Sequence, residues 1–185
     1  MLSFRAGDVS AFEALFERWA RPLLRYLERM VRDRGAAEEL VQEAFLRVYR
    51  ARERYEPDAR FSTWLYRIAT NLALNELRRP RRRDPHESLD RPDARALRAE
   101  SPASDDLAHA RQRAQRLEAA LAELPERQRA ALWLSAVEGL SYAEVADSLE
   151  VSESAVKALV HRARSRLADR LEMPDGGESD GGAEA

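Results

Sequence analysis

From Phe12 the apolar residues Leu15, Phe16, Trp19, Leu23, Leu27 and Val31 recur every three or four positions, the spacing that lines one face of an α-helix. Pro22 falls inside this run. Lacking the amide the helical ladder needs, it predicts a kink or the start of a second helix. Asp33-Arg34-Gly35 interrupts, and a second amphipathic run sets Leu40, Val41, Ala44, Phe45, Val48 and Tyr49 against Glu39, Gln42, Glu43, Arg47 and Arg50. After a break from Tyr55 to Arg60, residues 61–79 read as a strongly apolar helix that ends before Pro80.

The pattern then changes. Residues 81–110 open on a proline-rich, mixed-charge stretch with few large apolar groups, too little burial to offset the entropy of ordering. They read as a flexible linker; a loop within one domain is the weaker alternative, since so long a structureless loop is unusual in a compact fold. Beyond it a helix runs to Leu124, and Pro125 suits the first turn of another, closed near Gly139. Ser141-Tyr142-Ala143-Glu144 is a capping-box pattern opening a short helix to Leu149, and Ser152 can cap a last helix through Leu171. The expected fold is all-α: two small helical domains, residues 1–80 and 111–172, on a flexible tether, with a disordered acidic tail at 173–185.

Composition narrows the class. Hydrophobic residues make up 44% of the 185 and charged residues 35%, enough for helical cores. No stretch approaches the ~20 apolar residues that a membrane helix needs. The N-terminus lacks the order of a secretion signal, so a cytoplasmic protein without membrane insertion is expected. The absence of cysteine excludes disulfides, thiolate metal sites and a cysteine nucleophile. The three histidines, His86, His109 and His161, are scattered, there is no phosphate-cradling glycine loop, and no cofactor is expected.

The net charge of −2 conceals local clusters. Arg78, Arg79, Arg81, Arg82 and Arg83 fall in one run, and Lys157, Arg162, Arg164, Arg166 and Arg170 lie in the last helix. A short helix, a tight turn and a longer basic helix form the arrangement that seats its second helix in a DNA major groove. Val145, Ala146, Leu149, Val151, Val156, Val160 and Ala163 have the spacing to pack these helices together. Ser154, Lys157, Ala158, His161, Arg162 and Ser165 are left outward, the early positions toward base edges and later arginines toward phosphates. The bland alternative is a helical hairpin with a solvated basic face.

In the first domain Phe45, Tyr49, Tyr55, Phe61, Trp64 and Tyr66 are gathered in a short window. Phe61 and Trp64 adjoin a helix carrying Arg67, Asn71, Asn75 and Arg78; rings, amides and arginines together suit single-stranded DNA. Phe45 and Tyr49 are expected in the core, while Phe61 and Trp64 could serve either purpose.

Three stretches resemble the extracytoplasmic-function class of the sigma factors: Glu38 to Tyr49 (EELVQEAFLRVY), Phe61 to Asn71 (FSTWLYRIATN), and Leu124 through the Gly139–Ala146 turn to Arg164. The resemblance implies a promoter-recognition subunit of RNA polymerase, with core polymerase and promoter DNA, duplex and melted, as partners, together with an anti-sigma factor. It implies that Glu39, Gln42, Glu43 and Arg47 meet polymerase. It also implies that the loop from Pro57 to Trp64, with Phe61, Arg67, Asn71, Asn75 and Arg78, holds the melted minus-ten strand. Ser154, Lys157, Ala158, His161 and Arg162 would read the minus-thirty-five duplex. Ala158 and Leu159 depart from the serine and arginine that many members carry there. A dimeric DNA-binding regulator would need a sensor domain where the aromatic segment stands, and an enzyme on a helical scaffold would need a catalytic constellation.

Overall fold

The computed structural model describes residues 1–79 and 104–172, leaving out the side chains of 104–109, and every regular element among them is helical. The expected arginine run at Arg81–Arg83, His86, most of the expected linker and the acidic tail from residue 173 lie outside the described residues. The elements are α1 (Leu2–Arg5), α2 (Ser10–Val31), α3 (Arg34–Arg50), a 3₁₀ turn (Arg52–Arg54), α4 (Phe61–Arg78), α5 (Ser104–Glu123), α6 (Glu126–Ala136), α7 (Tyr142–Leu149) and α8 (Glu153–Glu172). α5 thus already occupies the last part of the span 81–110 expected to be linker.

α2 runs as one helix through Pro22, so the expected restart as a second helix does not occur. A proline inside a helix costs about 3 kcal/mol. Leu23, Tyr26, Leu27 and Met30 are all fully buried just beyond it, at roughly 1.5–3 kcal/mol for each large side chain, so continuity prevails. The helix ends where Arg32 turns left-handed (φ 60°), and Asp33 starts α3 by accepting a 2.8 Å hydrogen bond from the Ala36 amide. What reads in sequence as an interruption is a cap.

α2, α3 and α4 bury Leu23, Leu27, Ala37, Ala44, Phe45, Val48, Leu65 and Ala69 in a common core. Phe45 is core as expected. Tyr49 is not: its ring lies 5.3 Å from Phe4 and 5.4 Å from Phe12 but stays 41% exposed, because α1 places Phe4 on the buried side. Tyr26 and Tyr66 meet edge to face, and the Tyr26 hydroxyl shares a 2.7 Å hydrogen bond with Thr70. Burial raises both phenols above their ordinary pKa.

The two helical units do not stand apart on their tether. The core of α2–α4 continues into Leu134, Val145, Leu149, Val156 and Val160 of α6–α8 as one cluster, with α7 laid against α4. The buried Arg129 guanidinium donates to the Met30 carbonyl across the junction (3.0 Å) and to the Ala122 carbonyl (3.1 Å). Arg29 pairs with Glu118 at 2.5 Å. The Tyr66 hydroxyl donates to Glu138 at 2.5 Å, and the Trp133 indole donates to the same carboxylate at 3.0 Å.

Replacing Tyr26 with phenylalanine should cost about 1 kcal/mol, the net worth of a typical buried hydrogen bond. Urea unfolding should show a lower midpoint at unchanged slope; an unaltered midpoint would mean that the Thr70 hydrogen bond contributes nothing.

Candidate nucleic-acid interface

The last two helices are set by three local devices. Gly139 takes φ +69°, a left-handed turn that costs glycine little, and brings the chain back beneath α6. Ser141 then starts α7 with a complete capping box. Its hydroxyl accepts from the Glu144 amide while the Glu144 carboxylate accepts from the Ser141 amide at 2.9 Å. That amide, then the Ser141 hydroxyl, hold the Glu144 pKa below its ordinary value. After α7, Glu150 is left-handed (φ 54°) with its amide on the Ala146 carbonyl, and Ser152 accepts from the Ala155 amide at 3.2 Å to open α8.

This turn aims α8. Val156, Val160 and Ala163 point inward and are buried, as are Val145, Ala146 and Leu149 opposite them. Ser154, Lys157, His161 and Arg162 are exposed along the other side, while Ala158 and Leu159 are half-buried between the faces. Ser154 shares a 2.9 Å hydrogen bond with Ser152. Among the described residues none of Lys157, Arg162, Arg164 or Arg166 is held in an ion pair, so these charges face solvent uncompensated. Arg170, read in the sequence as part of the same basic run, is instead paired with Glu123 of α5.

The candidate single-strand surface lies on α4. Trp64, Arg67, Asn71, Asn75 and Arg78 follow one another at three- and four-residue steps and share a stripe. Arg67, Asn75 and Arg78 are exposed or nearly so at the edge of the core. Phe61 and Trp64 are half-buried: Trp64 sits 5.1 Å from Tyr55 and 6.1 Å from Phe61, and Phe61 is 6.3 Å from Trp19. The rings thus pack on the core through one side and keep the other partly open. Asn71 is half-buried, and its amide donates to Glu150 of the helix-turn-helix at 3.4 Å.

On α3, Glu39, Gln42 and Arg47 are exposed and Glu43 is half-buried, tied to Arg47 at 2.8 Å. Sequence reasoning missed Leu46, which stands 40% exposed within this polar face, and the pairing of Arg60, inside the Pro57–Trp64 loop, with Glu144 at 3.5 Å. Leu46 breaks the apolar period of α3, and that misplacement is the signal that could have found it. The Arg60–Glu144 pairing, between residues far apart in the chain, gave no such signal.

The model of Sigma-70 region 2 matches residues 15–83, and that of Sigma-70 region 4 matches residues 114–167. The chain is 39% identical over 171 residues to the RNA polymerase sigma factor CarQ of Myxococcus xanthus, covering 92% of this chain and 95% of that one. The chain belongs to the sigma-70 family. It is also 38% identical to the ECF RNA polymerase sigma factor SigE of Mycolicibacterium smegmatis, over 89% of this chain and 64% of that longer one, and falls in the extracytoplasmic-function class. Its fold is that of the sigma factor RpoE solved with the anti-sigma factor NepR from Bartonella quintana, at TM-score 0.67 and 23% identity, covering 90% of this chain and all of that one. In sigma-family terms, the stripe on α4 and the face of α3 lie in region 2, and the capped helix-turn-helix lies in region 4.

Replacing Ser141 with alanine should cost about 1 kcal/mol by removing the cap. The Glu144 share of this stability is complete above its unfolded pKa, near 4.5, and is lost as pH falls through its lower folded value. Unfolding measured across an acid pH series should therefore show a shallower pH dependence in Glu144→Gln than in the parent; equal slopes would remove Glu144 from the cap.

Proposed function

We propose that this sigma factor grips promoter DNA through two surfaces while docked on core RNA polymerase through a third. α8 enters the major groove of the minus-thirty-five duplex, with Ser154, Lys157, Ala158 and His161 toward base edges and Arg162 toward phosphate. The α4 stripe, Phe61, Trp64, Arg67, Asn71, Asn75 and Arg78, receives the melted minus-ten strand. The α3 face of Glu39, Gln42, Glu43 and Arg47, with Leu46 among them, docks on polymerase.

The observation that carries this reading is the unpaired cationic face of α8 on a fully capped helix-turn-helix. An isolated basic helix would have no need of so definite an aim. Arginine suits both tasks, because its fork binds guanine or phosphate through two donors. On α4, base stacking on an aromatic face contributes about 1–3 kcal/mol per base, comparable with the few kcal/mol that unstacking costs. Two weak contacts on one polymerase raise each other's effective concentration, so neither needs to be tight alone. The chain acts by binding and positioning, supplies no catalytic group, and works beside polymerase in the cytoplasm. The solved relative in complex with an anti-sigma factor supports such a partner for this chain as well.

A dimeric regulator lacks support here, since region 2 fills the place of a sensor. Run-off transcription with core polymerase on a promoter library tests the reading; it predicts discrete start sites and fails if none is used. Replacing Lys157 and Arg162 with alanine should weaken duplex binding and reduce the log–log salt slope by about one unit for each phosphate no longer neutralised. An unchanged slope would take these side chains off the phosphates. Trp64→Ala should impair opening of a duplex promoter more than use of a pre-melted one; equal impairment on both would make Trp64 a core residue only.

A further inference from the structure

The loop that the proposed function sets beside melted DNA is gripped at its near end by α1. Residues 55–60 have no regular structure of their own, so the rings at their two ends stand where their neighbours hold them. The far end is fixed by α4. Phe61 opens that helix, the Trp64 amide donates to the Arg60 carbonyl at 3.2 Å, and the Phe61 ring lies 6.3 Å from Trp19 of α2. At the near end Tyr55, which is buried, leaves the 3₁₀ turn with an extended backbone (φ −68°, ψ 122°). Its ring lies 5.1 Å from Trp64, whose ring neighbours among the described residues are Tyr55 and Phe61.

Tyr55 is tied down by a contact that spans 50 residues of chain: an Arg5 Nη donates to the Tyr55 carbonyl at 2.8 Å. Arg5 can reach it because α1 is pinned. A helix of four residues has too few hydrogen bonds to persist alone. Phe4 anchors it, with its ring buried 5.0 Å from Phe12 and 5.3 Å from Tyr49. The Arg52 guanidinium lies over Tyr49 at 5.0 Å and over Phe4 at 5.9 Å, which joins the 3₁₀ turn to α1. Gly7, at φ +103°, makes the left-handed turn between α1 and α2. Arg5 itself is exposed and fills no part of the core. What its guanidinium serves is the first peptide of the loop.

We propose that Arg5 is a positioning residue for strand capture: by holding the Tyr55 carbonyl it keeps the Tyr55 ring against Trp64, and so keeps the open side of Trp64 turned toward an unstacked base. Arg5 touches no DNA. It acts through the Tyr55 backbone, the Tyr55 ring and then Trp64. Released from Arg5, the first residue of an irregular loop regains torsional freedom, and Trp64 loses the neighbour that fixes its tilt. α8 shares none of these contacts, so duplex reading is untouched. This role rests on the assignment of Trp64 to the melted strand.

The test uses the full-length chain assembled with core polymerase, at a start site found by run-off transcription. A fluorescent adenine analogue in the minus-ten element brightens when its base leaves the stack. Arg5→Ala should lower opening of the duplex promoter roughly fivefold to tenfold, the worth of one half-exposed hydrogen bond from a charged donor. Binding to the minus-thirty-five duplex should stay unchanged. In a Trp64→Ala background, Arg5→Ala should add less than about a twofold loss, because both changes act on the same ring. Full additivity of the two losses overturns the proposal. So does an equal loss of duplex binding in Arg5→Ala, which would make Arg5 a residue of general stability. Parent-like opening by Arg5→Ala, where Trp64→Ala is impaired, defeats the role of Arg5 alone. If Trp64→Ala also opens like the parent, the assignment of Trp64 to the strand fails with it.

Discussion

α4 is the wall shared by both halves of this molecule, and its double packing is the constraint on which the rest depends. One side of the helix buries Leu65, Ala69 and Ala73 in the core with α2 and α3. Another meets α7, where Tyr66 donates to Glu138 and Ser148 to the Thr63 carbonyl. The stripe that carries Arg67, Asn75 and Arg78 lies beside this second contact. A single helix of 18 residues thereby serves core, junction and candidate DNA surface at once.

What is local in the chain was legible before the fold was known. The Ser141–Glu144 capping box, the Ser152 cap and the inward Val156–Val160–Ala163 row are set by spacings of three and four residues, so the helix-turn-helix could be placed from sequence. The same holds for the α4 stripe and for Phe45 in the core. Asp33 was open to the same reading but hidden by the glycine two residues on, which suggested a break where the structure has a cap.

What is distant was not. Pro22 argued for a break because the burial of Leu23, Tyr26 and Leu27 that outweighs its missing amide is a tertiary property. Tyr49 belonged to the apolar period of α3, yet Phe4, far earlier in the chain, takes the buried place beside it. Tyr66 and Glu138 are 72 residues apart, and Asn71 and Glu150 are 79 apart, so no periodicity links them. Glu138 and Glu150 also look like solvated acids in sequence. The proline-rich connection marked the two domains, but nothing in it told that their cores would be packed against one another.

The charge pattern follows the same division. Acids gather on the α7 side that meets α4, and unpaired bases gather on the outer face of α8, so a chain of net charge −2 still carries a cationic surface. The central claim is that the two units are joined in the free protein. Small-angle X-ray scattering of the full-length chain in solution tests it most directly. The account predicts a single-peaked pair-distance distribution and a radius of gyration within a few ångström of the ~16 Å expected for one compact body of this length. A two-peaked distribution with a much larger radius would contradict it.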